Sequence, residues 1–236
     1  MAAAFGDPPA RQGREWLSVD MDHSPDRPVR LLVFGGSLRR ESLNRRLAAC
    51  AAAEAGRLGA QVRLADLRDW PLPPYDGDEE AATGLPEPVG AFGAALTEAD
   101  ALVIASPEYN ASIPGTLKNL IDWGSRLRPQ PFAARHVLLM SASPSMVGGN
   151  RGLWALRIPL EHLGARVYPE MFSLAQAHQA MDERGCVGDA ELARRFATML
   201  TDFLTLVESA VHYPCAKQRW IEFLGERPDP AVDRIE

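Results

Sequence analysis

The sequence predicts an open, doubly wound α/β fold: parallel strands in one sheet, with helices on both faces. Three observations lead there. Val29 to Phe34 and Ala101 to Ala105 are short apolar runs with β-branched members, the pattern of strands buried on both faces. Each run leads through a polar, glycine- or proline-bearing connection into apolar residues at helical spacing. The third observation is bulk. The chain has 236 residues, 46% of them hydrophobic, enough to cover both faces of a sheet but too short for two comfortable domains.

The elements follow in order. Residues 1–28 are rich in Pro, Asp, Gly and Arg and are expected to form a flexible arm, although Trp16 and Leu17 could dock. Residues 29–211 carry the folded unit, and 212–236 are a C-terminal extension. After the first strand, Leu43, Leu47, Ala51, Ala55 and Leu58 mark one side of a helix. Gln61 to Ala65 alternates as a second strand, and Trp70 to Asp76 is an apolar, proline-stiffened loop. Glu87 to Glu98 reads as a helix leading to the strand at Ala101. The helix after it has Leu117, Leu120, Ile121 and Gly124 on its packed face, with Ser112 placed to cap it. His136 to Met140 is the fourth strand, about Asn150 to Leu163 a helix, and Ala165 to Tyr168 the fifth strand. A long helix closes the unit, with Leu192, Phe196, Met199, Leu200, Phe203 and Val207 on its buried side.

Composition narrows the function classes. A net charge of −6 argues against nucleic acid as the main partner. Lysine is nearly absent beside abundant arginine, so pairs such as Arg45-Arg46 read as solvated helix faces and not as polyanion sites. Cys50, Cys186 and Cys215 show no metal-ligand spacing, and neither a zinc site nor a disulfide framework is expected. Cys50 reads as a small core residue. The five histidines are scattered, with no metal-binding pair. No stretch reaches membrane-spanning length and the start lacks the pattern of a secretory signal, so the expected compartment is the cytoplasm.

Two connections carry chemistry. Gly35 to Arg46 offers the hydroxyls of Ser37 and Ser42, the amide of Asn44, the guanidinium of Arg39 and the N–H groups of a helix start. That set suits a terminal phosphate held without metal. It matches neither the dinucleotide fingerprint nor the triphosphate loop. In the second connection, Pro107 fixes a backbone angle, Asn110 tolerates unusual ones and Tyr109 brings an aromatic ring. A rigid aromatic loop at the carboxyl ends of the strands suits a flat ring.

These two segments, Gly36-Ser37-Leu38-Arg39 to Asn44 and Pro107-Glu108-Tyr109-Asn110 to Trp123, resemble the NAD(P)H-dependent FMN reductases. That family includes quinone, azo and chromate reductases of flavodoxin-like fold. The resemblance implies a five-stranded parallel sheet in the order 2-1-3-4-5. It implies FMN as cofactor and NADPH or NADH as hydride donor. Ser37, Arg39, Ser42 and Asn44 would hold the FMN phosphate, and Pro107, Glu108, Tyr109 and Asn110 would lie along the ring, mostly through backbone groups. The loop Ser141 to Arg151 is similar to the family's third flavin contact, with Ser143 at a ring edge and Gly148 and Gly149 close to it. Pro144 and Ser145 depart from the family's usual residues there.

The activity so implied is hydride transfer from NAD(P)H to FMN, then to a small acceptor: a quinone, an azo compound, free flavin or a metal oxyanion. No side chain is expected to act as acid or base, and no metal is expected. The alternative is a flavodoxin-type electron carrier with a protein partner. Tyr109 is the only aromatic in the two ring loops, which leaves a face open for a nicotinamide and favours the reductase. Similar reductases pair, so a homodimer or homotetramer is expected, with the apolar loop Trp70 to Tyr75 and the helix from Gly115 near the contact. No membrane partner is expected.

Overall fold

Five parallel strands form one sheet in the order β2-β1-β3-β4-β5, where β1 is Arg30–Gly35, β2 Gln61–Asp66, β3 Ala101–Ala105, β4 His136–Ala142 and β5 Arg166–Leu174. This is the expected doubly wound, flavodoxin-like topology. The computed structural model describes residues 27–212, so the expected N-terminal arm and C-terminal extension fall almost wholly outside the described residues.

The helices are α1 (Leu43–Arg57), α2 (Gly77–Thr83), α3 (Glu87–Glu98), α4 (Gly115–Gly124), α5 (Asn150–His162), α6 (Ala177–Ala180) and α7 (Ala190–His212). Side chains alternate across a strand, so each buried strand feeds two cores. Leu31, Val33, Val103, Leu138 and Met140 meet Leu47, Ala51 and Ala55 of α1 and Phe196, Leu200 and Phe203 of α7. Their strand neighbours Leu32, Phe34, Leu102, Ile104 and Leu139 meet Phe92, Leu96, Leu117, Leu120, Leu153 and Leu156 on the other side. Each such large side chain, fully buried, contributes about 1.5–3 kcal/mol. Continuous apolar runs in β1 and β3 are thus required by burial on both faces.

Three expectations need correction. Trp70 is 4% exposed and does not offer an apolar contact patch. It packs on Phe34 and Phe92, with ring centroids 5.8 and 4.9 Å away. The loop behind it is fastened to α4. Asn119 Nδ2 and Trp123 Nε1 both donate to the Pro73 carbonyl at 2.8 Å, and Asn119 Oδ1 accepts from the Tyr75 N–H at 2.8 Å. Burial against two aromatics outweighs anything exposure could offer.

The fifth strand is nine residues long, beyond the stretch ending at Tyr168. Pro169 and Glu170 interrupt its apolar pattern, yet β5 lies at a sheet edge, where a proline leaves no ladder bond unmade. The third correction concerns sulfur. Cys50 does lie in the core beside α7, but it is disulfide-bonded to Cys186, 136 residues away, with Cα atoms 5.3 Å apart. Spacing in sequence is blind to pairs that a crossover brings together.

Candidate active site

The direction in which strands are added reverses at β1: β2 lies on one side of it, and β3 and all later strands lie on the other. The connections leaving β1 and β3 therefore part at the carboxyl edge of the sheet and leave a crevice, where ligands bind in folds of this kind.

The first wall is the turn from Gly36 to Ser42. The Gly36 N–H donates to the Ala105 carbonyl at 2.8 Å, which fixes where the turn leaves the sheet. Ser42 caps α1, its Oγ accepting from the Arg45 N–H at 3.4 Å, and Ser37 Oγ accepts from the Arg39 N–H at 3.3 Å. Both serines are buried, at 5% and 3% exposure, while Arg39 is exposed. Among the described residues no ion pair engages the Arg39 guanidinium. The first N–H groups of α1 have no intrahelical acceptor. Two buried hydroxyls, a helix start and an exposed guanidinium at one turn make a donor set for a phosphate.

Asn44 behaves differently from its neighbours. Its Nδ2 donates to the Ala142 carbonyl at 2.8 Å and its Oδ1 accepts from the Ala142 N–H at 2.9 Å. The amide is a strut from the start of α1 to the end of β4, 98 residues on. Its polar atoms brace the pocket from behind.

The second wall is Ser106 to Pro114. Tyr109 and Ser112 exchange backbone hydrogen bonds at 3.1 and 3.0 Å, closing a two-residue turn. Both central residues are left-handed, Asn110 at φ 51° and Ala111 at φ 61°. Asn takes that conformation readily, whereas for Ala it stores strain of roughly 1–3 kcal/mol, of the kind held at functional sites. Ser112 does not cap α4 as expected. Pro114 occupies the cap position without a side-chain bond, because the backbone of Ser112 is committed to Tyr109. Tyr109 is 46% exposed, an aromatic face at the mouth of the crevice.

Glu108 points away from that mouth. Its Oε1 accepts from Arg151 Nε and Nη2 at 2.9 and 2.6 Å, and its Oε2 accepts from the Gly152 N–H at 3.1 Å. Burial pushes the carboxyl up, but the bonds from Arg151 and Gly152 outweigh it and hold the group below its ordinary value. Glu108 is therefore an ionised clamp that seats the aromatic loop on the first turn of α5. Sequence reasoning missed Arg151 and Gly152 as its partners. The signal was a cation in the first turn of a helix, where the macrodipole disfavours it unless an anion stands close.

The third wall is Ser143 to Gly149. The Ser143 N–H donates to the Leu174 carbonyl at 3.0 Å, and its Oγ accepts from the Ser145 N–H at 3.2 Å. Gly148 and Gly149 have φ of 65° and 84°, and a Cβ on Gly149 would lie 2.0 Å from Ser141 Oγ. No other residue fits that corner. Pro144 and Ser145, the unusual residues of this loop, are exposed and leave the glycine turn intact.

Among the described residues, no group of three or more His, Cys, Asp or Glu side chains could hold a metal ion. None of the described helices is long and apolar enough to cross a membrane.

Comparison with known proteins agrees with this geometry. Residues 29–179 match the family model described as NADPH-dependent FMN reductase. A quinone reductase of Escherichia coli is 36% identical over 177 residues, covering 74% of this chain and 93% of the relative. An NAD(P)H-dependent FMN reductase of Pseudomonas aeruginosa is 37% identical over 162 residues, covering 66% and 83%. Among solved structures, the flavoenzyme NAD(P)H:(acceptor) oxidoreductase FerB from Paracoccus denitrificans superposes with a TM-score of 0.65 at 28% identity. That match covers 77% of this chain and 98% of FerB. With the strand order, the two motif loops and the glycine turn all in place, the chain belongs to the NADPH-dependent FMN reductases, an oxidoreductase family.

Proposed function

We propose that the chain uses FMN to carry a hydride from NADPH or NADH to a small acceptor: a quinone, an azo compound, free flavin or a metal oxyanion. The observation that carries the reading is the convergence of three walls at the β1/β3 crevice, one a phosphate donor set and one bearing an exposed aromatic. The residues fit the group. Buried Ser37 and Ser42, the start of α1 and Arg39 match a terminal phosphate, and the pattern leaves out the glycines a pyrophosphate needs. What FMN supplies there is two-electron chemistry between a nicotinamide and an acceptor.

The chain's own residues bind and orient. Ser37, Arg39 and Ser42 take the phosphate, and Asn44 keeps α1 in register with β4. Pro107, Tyr109 and Asn110 present the loop to the ring, with Glu108 holding that loop to α5. Ser143, Gly148 and Gly149 close the opposite side. Glu108 is no general base, because its carboxylate is spent on Arg151 and Gly152. Free backbone N–H groups of these loops would favour added negative charge on a bound ring, a preorganised electrostatic effect. No side chain is assigned as acid or base.

The working form is a homodimer, able to pair again into a tetramer, and the compartment is the cytoplasm, where reduced nicotinamides are supplied. The surface that fits a second copy is α5. Trp154 and Ile158, 56% and 71% exposed, lie one turn apart on its outer face.

The test is direct. Purified protein is denatured and the released flavin identified, then fresh protein is mixed anaerobically with each nicotinamide. FMN should be released, and either NADPH or NADH should bleach it at a rate that matches turnover with an acceptor panel. Recovery of FAD, or failure to bind added FMN, defeats the cofactor assignment. Reduction by a protein donor but by neither nicotinamide would instead support the carrier.

A further inference from the structure

Residues 176–188 form an excursion between β5 and α7 that touches the third wall of the site and the helix that follows the first. At its start, the Gln176 and Ala177 N–H groups donate to the carbonyls of Ser145 and Ser143 at 3.0 and 2.9 Å. The excursion is thus bonded to the loop that carries Gly148 and Gly149. It then folds back on itself: Met181 pairs with Val187, the Asp182 N–H donates to the Cys186 carbonyl at 2.8 Å, and Gly188 N–H to the Ala180 carbonyl at 2.8 Å. Its tip lies on α1. A Cβ on Gly185 would stand 3.1–3.3 Å from the methylenes of Arg46, and one turn further along α1 Cys186 is joined to Cys50. That same helix begins at Ser42 and Asn44, the phosphate end of the pocket.

We propose that Cys50 and Cys186 are a thiol–disulfide modification site whose state sets how firmly the Ser143–Gly149 wall is held against α1. The inference rests on FMN being the ligand of that crevice. The Cα separation of 5.3 Å lies in the ordinary disulfide range, so the pair forms and breaks without moving the backbone. Cys186 is half-buried and Cys50 buried, so an incoming thiolate reaches the Cys186 sulfur first. It forms a mixed disulfide there and expels Cys50 as thiolate. A second thiol of the reductant resolves the mixed disulfide, Cys186 leaves as thiolate, and both cysteines take up protons. The reductant, a small or protein dithiol, loses two electrons and becomes a disulfide, while the chain gains two thiols.

Opening the bond leaves the fold in place. Ala177 and Val187 remain buried, and α1 and α7 keep their shared core. What is lost is the only covalent brace between the excursion and the helix that starts the phosphate turn. Disulfides that occur in a reducing compartment are mostly redox-sensing or transient, and a bond between α1 and the excursion that holds the Ser143–Gly149 loop fits that use.

The experiment uses the full chain. Under denaturing, non-reducing conditions, thiol titration should find one free thiol of the three cysteines, and all three after dithiothreitol. After anaerobic removal of the dithiothreitol, fluorescence titration should show FMN bound roughly fivefold or more weakly, in the range of ordinary site-to-site coupling. Amides of 143–149 should exchange hydrogen faster in the reduced protein with no flavin present. Cys50→Ala/Cys186→Ala should match the reduced protein whether or not thiol is added. Three free thiols before reduction, or equal FMN affinity and equal exchange in the two states, overturns the proposal. A chain that binds no FMN in either state defeats the flavin assignment instead, while the exchange rates still judge the brace.

Discussion

At Arg39 the proposed phosphate site can be tested with a single side chain. It stands exposed beside the buried Ser37 and Ser42, and no ion pair occupies it among the described residues. Its neighbours Arg45 and Arg46 are already committed, Arg45 to Asp66 and Arg46 to Glu41. A hydrogen bond to a charged group contributes about 1.5–3 kcal/mol, so Arg39→Ala should weaken FMN binding roughly ten- to a hundredfold. Arg46→Ala should leave that affinity near wild type. Flavin fluorescence titration checks both, and unchanged affinity in Arg39→Ala would place the residue outside the pocket. Asn44 is the opposite case. It was legible as a polar residue at the right spacing, but its partner Ala142 lies 98 residues away and no local pattern announces that bond. The motif pair Asn119 and Trp123 is similar: both serve the Pro73 carbonyl and hold the chain after Trp70.

At the scale of elements, the strands are tied at both ends. The carboxyl ends are tied by the site loops. At the amino ends Asp100, just before β3, accepts from the Arg30 N–H at 2.8 Å and from both Arg27 nitrogens at 2.6 and 2.9 Å. Burial pushes this carboxyl up, but the hydrogen bonds from Arg27 and Arg30 overcome it and bring it down to about 2. A folded-state value below the unfolded one contributes stability above the unfolded value and loses it as pH falls through the folded one. The contribution should be complete above about pH 4 and fade toward pH 2, amounting to about 1–2 kcal/mol with Arg27 partly in solvent. Asp100→Asn should lower the melting temperature at neutral pH and flatten its fall between about pH 4 and pH 2. Parallel thermal melts across that range test this. A variant with the wild-type pH profile would show that Asp100 does not contribute to acid lability.

For the whole molecule, the proposed assembly through the outer face of α5 is linked to the site by one helix. The first turn of α5 holds Glu108, and two turns of its outer face expose Trp154 and Ile158. In the proposed homodimer, a second copy docked there would steady the same helix that seats the aromatic loop. Trp154→Glu should weaken the dimer at least tenfold, since truncation of a central aromatic anchor costs about 2 kcal/mol or more. Trp70→Ala should destabilise the fold without a specific effect on pairing, because Trp70 is enclosed by Phe34 and Phe92. Sedimentation at micromolar concentration separates the two. A wild-type monomer that still oxidises NAD(P)H would end the dimer reading, and an undisturbed Trp154→Glu dimer would move the contact off α5.

By itself the sequence determined the layers, the strand-to-helix alternation and the chemical character of the two motif loops. Burial on both sheet faces leaves uninterrupted apolar runs, and a phosphate turn needs its hydroxyls within a few residues of a helix start. Such signals are local, so they survive in one dimension. Tertiary structure decided which polar groups face the crevice and which brace it. Glu108 and Asn44 were legible as site residues, but their roles depend on Arg151, Gly152 and Ala142, which only the crossovers bring near. The same holds for Trp70, whose burial needs β1 and α3 beside it, and for Cys50 and Cys186, joined across 136 residues. Pairing between distant segments is set by the summed packing of two cores, and no short window of sequence records that sum.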